Sequence, residues 1–161
     1  MDRCAECGFG YATVPAADLP RRLTDGGHRF AAALAAHPEP RRRPAPSVWS
    51  PLEYGCHLRD VLRVQAERLA LALRADNPEF APMGRDERAV RDRYHAQDPA
   101  VVRAELTAAA GELAAAFGRL GPREWDRTGV YTWPAVAPRT MLWLGRHTVH
   151  EIEHHLGDIM Y

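Results

Sequence analysis

Cysteine is scarce in this chain. Three in 161 residues are an odd, small set, which argues against a disulfide framework. Charge of one sign is not in excess either, with 21 Lys plus Arg against 21 Asp plus Glu. A neutral chain offers no electrostatic case for nucleic acid or an anionic membrane as a partner. No apolar run approaches the ~18 residues of a membrane-spanning helix. The N-terminus carries no hydrophobic signal region, so the cytoplasm is the expected compartment. Repeats, low-complexity tracts and convincing strand alternation are lacking too. What is there is rich in Ala and Arg, suits helices, and is long enough for one domain with a buried core.

Caps and periodicity place four main helices. The first is expected from near Asp18 to about His37, with Pro20 close behind the cap and Leu23, Phe30 and Leu34 on the core side. Gly26-Gly27 weakens its middle. Residues 38–46, with four prolines and three arginines, read as a stiff surface connection. Ser50-Pro51-Leu52-Glu53 is a capping box with proline at the first helical position. It opens a second helix to about Arg74, with Leu58, Val61, Leu62, Leu69 and Leu73 as core candidates. His57 lies on or beside that buried face, where a lone histidine is usually a satisfied core residue. Cys56 beside it reads as a small buried hydrophobe, and Trp49 as packing at the bundle end.

Residues 77–97 show no long period, and residues 86–94 are expected as one short charged helix. Long connections are often functional. Arg85, Arg88, Arg91 and Tyr94 are therefore candidates to line a polar substrate site, against the plainer reading of a solvated surface helix. Asp98-Pro99 caps a third helix to about Leu120, apolar at Val102, Leu106, Ala109, Leu113 and Phe117. Gly121-Pro122 stops it. Residues 125–139 read as an irregular crossover, after which Thr140 caps the last helix. The expected fold is all-α, a four-helix bundle of residues 18–161 with a long crossover connection. Residues 1–17 form an N-terminal arm. Its Cys4-Ala5-Glu6-Cys7 fits half of a zinc site, but a closed site wants four ligands and no second pair follows. A redox pair would want a βαβ context. The arm is expected to be reduced and partly disordered, a small metal or thiol site being the other reading.

The last helix carries the chemistry. Four of the eight histidines fall between His147 and His155, with Glu151 and Glu153 among them. Val149, Ile152, Leu156 and Ile159 make its apolar stripe. Glu151 and His155 are four apart and project together, as do His150 and His154. Either pair can grip one metal ion, and a third ligand must come from elsewhere. Residues 150–154 spell H-E-x-x-H and extend to Gly157, as in metallohydrolases. Position 160, however, is Met160 rather than the third histidine that pattern needs, and no sheet is expected to align a peptide.

Trp49-Ser50-Pro51-Leu52-Glu53, then His57-Leu58-Arg59-Asp60, then a C-terminal E-x-x-x-H-x-x-D together resemble the DinB/YfiT-like superfamily. The site is most similar to its mycothiol-dependent maleylpyruvate isomerase branch. The resemblance spans residues from about 18 to 161. It implies a four-helix bundle holding a divalent metal through one residue of the second helix and two of the last: His57, Glu151 and His155. Three ligands leave an open position, the mark of a catalytic rather than a structural site. Nitrogen and oxygen donors suit Zn²⁺, and Ni²⁺ or Fe²⁺ also fit. The implied activity is that of a metal-dependent thiol transferase or isomerase, with a low-molecular-weight thiol, plausibly mycothiol, as cosubstrate. The implied partners are that thiol and an electrophilic small molecule, with a homodimer left open. His150, His154 and Asp158 become candidates to orient the ligands or relay protons. A non-catalytic metal-binding module of the same fold is the alternative.

Overall fold

The computed structural model describes residues 3–160. The helices among them are α1 (Leu19–Ala36), α2 (Pro51–Arg74), α3 (Arg85–Arg91), α4 (Pro99–Gly118) and α5 (Met141–Ile159). Side-chain caps set three of the starts. Ser50 Oγ accepts from the Glu53 amide at 3.2 Å while Glu53 Oε2 accepts from the Ser50 amide at 2.8 Å, a complete capping box. Asp98 accepts from the Ala100 amide at 2.7 Å, and Thr140 from the Trp143 amide at 3.1 Å. At α1 the expected cap differs. Asp18 makes no capping hydrogen bond to the helix, because a 3-10 turn of Ala16–Asp18 already leads into it.

α1 packs on α4 and α5, and α2 packs on the same two helices, so α1 and α2 lie mainly across a diagonal. This is a four-helix bundle whose second and last helices are neighbours. Gly26 and Gly27 do more than weaken α1. A Cβ on Gly26 would stand 2.8 Å from Ile152 Cγ2, and one on Gly27 2.6 Å from Ala110 Cβ. The pair therefore lets α1 approach α5 and α4 closely. Leu23, Phe30, Leu58, Leu62, Leu106, Leu113 and Phe117 form the fully buried centre.

Two expectations are corrected. The crossover holds an antiparallel hairpin, β1 (Thr128–Tyr131) and β2 (Ala137–Thr140), with Val130 opposite Pro138. Strands this short carry too few alternating residues to be read from the sequence. The N-terminal arm is folded onto the bundle rather than partly disordered: Phe9, Tyr11 and Val14 are buried, and the Val14 carbonyl accepts from Arg146 Nε at 2.8 Å. Three apolar side chains within six residues pull it onto α5. Among the described residues no helix is long and apolar enough to cross a membrane.

Candidate metal centre

His57 projects from the second turn of α2 toward α5, where Glu151 and His155 share one face. The three offer donor atoms that all lie within 4.8 Å of one another. The His57 and His155 rings meet edge to face, centroids 5.1 Å apart. His155 Nε2 stands 3.7 Å from Glu151 Oε2, while its Nδ1 is 2.7 Å from Asp158 Oδ2. The Asp158 contact fixes the ring and leaves Nε2 facing the other donors, an arrangement that would suit a metal ligand.

The electrostatics agree. Burial, helped by the neighbouring His155, pushes His57 down to about 3, so its imidazole is neutral. Its Nδ1 has no hydrogen-bond partner among the described residues, a costly state for a buried polar atom. Burial works against charge on His155 as well, but Asp158 and Glu151 outweigh it and bring that ring up to about 9. Burial would raise the Glu151 carboxyl, yet the His150, His155 and His147 imidazoles hold it well below the usual carboxylate range. A neutral His57 and an ionised Glu151 beside His155 suit a divalent cation. The trio could hold one.

A cavity of about 500 Å³ opens onto the trio. Arg85 stands at its rim, the guanidinium carbon 5.2 Å from the Trp49 ring centroid. Trp49 also touches His57, centroids 5.2 Å apart, so it packs beside the site as well as at the bundle end. Of the other substrate-site candidates, Arg88 lines a separate polar cavity beside Asp60 and Glu105, and Arg91 pairs outside with Asp92. Tyr94 is corrected outright: it is fully buried and donates its hydroxyl to Asp60 Oδ2 at 2.6 Å. The 3-10 turn of Tyr94–Ala96 presses the ring against Leu52 and Val102 instead of into the cavity. Cys56 is buried, and burial pushes its thiol up to about 12.

Other side chains at the site had no role assigned from sequence. His147 stacks between Trp133 and Trp143, at 5.0 and 4.7 Å, with Nδ1 2.9 Å from the Tyr11 hydroxyl and Nε2 3.8 Å from Glu151 Oε1. Its place one turn before Glu151 was the only signal. Tyr131 reaches the wall from β1, its hydroxyl accepting from Arg68 Nη1 at 2.8 Å and Gln65 Nε2 at 3.1 Å. Nothing local in the sequence indicated that. His150 and His154 line the same cavity as His57 but fall outside its group of three donors. Further groupings of donor atoms join His150 to His147 and Glu151, and His154 to His155 and Asp158.

These features define a class: helical bundles that gather side chains able to ligate a metal between two neighbouring helices beside an open cavity. The chain belongs to the DinB superfamily, whose family model matches residues 15–159. Among solved structures, YfiT from Bacillus subtilis, described as a probable metal-dependent hydrolase with an unusual four-helix bundle topology, is similar with a TM-score of 0.81. Identity is 18%, over 90% of this chain and 83% of the other, a likeness of fold. Among curated proteins none matches the sequence.

Proposed function

We propose that His57, Glu151 and His155 hold a divalent cation and that the protein activates a low-molecular-weight thiol for attack on an electrophilic small molecule. The observation that carries this reading is a set of three donors, two imidazoles and a carboxylate, on the wall of a cavity of about 500 Å³. Three protein ligands leave room for an exogenous one. When bound, the cation supplies Lewis acidity that deprotonates an incoming thiol, whose free pKa is about 8.5. Zn²⁺ suits the donors best, with Ni²⁺ or Fe²⁺ next.

The chain's own side chains do the rest. Asp158 holds the His155 ring in register through the 2.7 Å contact. Arg85, at the rim, offers a guanidinium to an anionic electrophile, and Trp133 and Tyr131 supply apolar wall. In the addition the thiol proton leaves to solvent at the mouth and sulfur bonds to the electrophilic carbon. The displaced π pair moves to the next atom, which takes a proton back. Mycothiol is the thiol implied by the resemblance of His57, Glu151 and His155 to the mycothiol-dependent isomerase branch.

Hydrolysis is the competing reading, since the same coordination position takes water and YfiT is described as a probable metal-dependent hydrolase. Metal-loaded protein should conjugate or isomerise electrophiles only when thiol is present, and should lose that activity on chelation. Arg85→Ala should raise KM for anionic electrophiles roughly tenfold, whereas Arg88→Ala, in the other cavity, should not. Turnover of esters or amides without thiol would favour the hydrolase, and tight metal binding with no turnover across the panel would favour a binding module.

A further inference from the structure

We infer that Cys4, Cys7, His150 and His154 form a second metal site, a closed Cys₂His₂ centre that clamps the N-terminal arm to α5. It shares no residue with the trio proposed above and does not depend on that reading.

The last helix presents two ligand pairs at i and i+4 spacing, offset by one residue and hence by about 100° around the axis. Glu151 and His155 turn toward His57 on α2. His150 and His154 turn instead toward the arm, where no second cysteine pair is needed because two histidines complete the set. The four donor atoms lie within 4.8 Å of one another. Ligands around a tetrahedral zinc at 2.0–2.3 Å stand about 3.3–3.8 Å apart, so small side-chain rotations close the site.

The arm is built to present its cysteines. Residues 3–10 form a tight loop: Arg3 bridges Gly10, the Cys4 amide donates to the Phe9 carbonyl at 2.9 Å, and the Gly8 amide to the Cys4 carbonyl at 3.0 Å. Gly8 takes φ +74, a left-handed turn that suits glycine. Phe9 and Tyr11 then lie against the His150 ring at 5.5 and 5.6 Å, fixing the loop over the helix.

An independent observation points to a ligand. His150 is 4% exposed, and neither of its ring nitrogens has a hydrogen-bond partner among the described residues; the same holds for His154 Nδ1. Glu151 Oε1 lies 3.4 Å from His150 Nδ1 outside bonding geometry. Buried imidazoles are costly to leave unpaired, and coordination satisfies them. Two thiolates with two imidazoles select zinc among the common divalent ions. Four protein ligands leave no open position, so the centre is structural. This gives the H-E-x-x-H segment a different meaning: its histidines anchor the arm, and the glutamate between them belongs to the neighbouring trio.

The test is metal stoichiometry on the full chain, by elemental analysis and by cobalt substitution. Cobalt-loaded wild type should show a sulfur-to-cobalt charge-transfer band and bind one equivalent more than the Cys4→Ser/Cys7→Ser protein, which should lose the band. His57→Ala/His155→Ala should keep the band and lose only the other equivalent, which separates this site from the trio. Cys7→His should retain the full stoichiometry with a weaker band, showing that a fold defect does not explain the loss. Equal metal content in wild type and the cysteine variant, a cobalt protein without the thiolate band, or a Cys4–Cys7 disulfide in protein purified under reducing conditions would each overturn the proposal.

Discussion

At the scale of single residues, orientation separates a usable ligand from a buried histidine. His57 and His155 are both buried, yet only His155 has a partner on its far nitrogen, the Asp158 carboxylate at 2.7 Å. Removing that partner frees the ring without touching a donor. Asp158→Ala should therefore weaken cation binding at the trio about 10–100-fold, read by competition with a chromogenic chelator. Binding at the cysteine pair should change far less. Unchanged trio affinity in the variant would mean that packing alone holds the ring. The Glu151/His155 pair was legible because E-x-x-x-H is a pattern of one helix and needs only its 3.6-residue period, whereas His57 entered only through the family resemblance. Tyr94 misled because an aromatic hydroxyl in a charged segment looks the same whether it faces a cavity or Asp60, and only tertiary packing decides.

At the scale of elements, local signals placed the helices and failed wherever partners were distant. Ser50 and Glu53 announce α2 within four residues, and the structure repeats the motif atom for atom. Burial alone would raise the Glu53 carboxyl, but the Arg43 guanidinium and the Ser50 amide and hydroxyl hold it below its ordinary 4.5. A carboxylate depressed in the folded state adds stability above its unfolded pKa and loses it as pH falls through the folded value. Glu53→Gln should thus be less stable than wild type in urea at neutral pH, by about 1–3 kcal/mol for the lost charged partner. The gap should shrink on acidification below the carboxylate range. A gap constant with pH would assign the loss to packing. The paired glycines of α1 invert their sequence reading in the same way. Helix propensity favours Gly27→Ala by about 1 kcal/mol, yet the new methyl would meet Ala110 Cβ at 2.6 Å on a backbone-fixed neighbour. Overpacking of that kind costs about 1–3 kcal/mol, so the variant should be destabilised. Gly111→Ala, with nothing within 4 Å, should instead gain roughly 0.5–1 kcal/mol. If both variants were stabilised in denaturant melts, the close approach of α1 and α4 would be wrong.

For the whole molecule, the bundle and the polar constellation are separable. The core of α1, α2, α4 and α5 closes around Leu23, Phe30, Leu62, Leu113 and Phe117, none of which lines the cavity at the trio. Helical content should thus survive metal removal. The constellation is different: it gathers a neutral His57, an ionised Glu151 and orphaned His150 nitrogens at the seam between α2, α5 and the arm. A cation binding only the folded chain contributes RT ln(1 + [L]/Kd), about 4 kcal/mol at a thousandfold excess over Kd. For a domain of this size each kcal/mol moves Tm by roughly 2–4 °C. Stripping metal should accordingly lower Tm by roughly 8–16 °C per site while leaving the far-ultraviolet circular dichroism of the cold protein nearly intact. The Cys4→Ser/Cys7→Ser and His57→Ala/His155→Ala proteins should each lose part of the metal-dependent increment, and their combination all of it. A Tm indifferent to chelator in wild type would mean that the folded state holds no cation at either place, and the imidazoles and carboxylates gathered on α5 would then be a polar seam between the arm and the bundle.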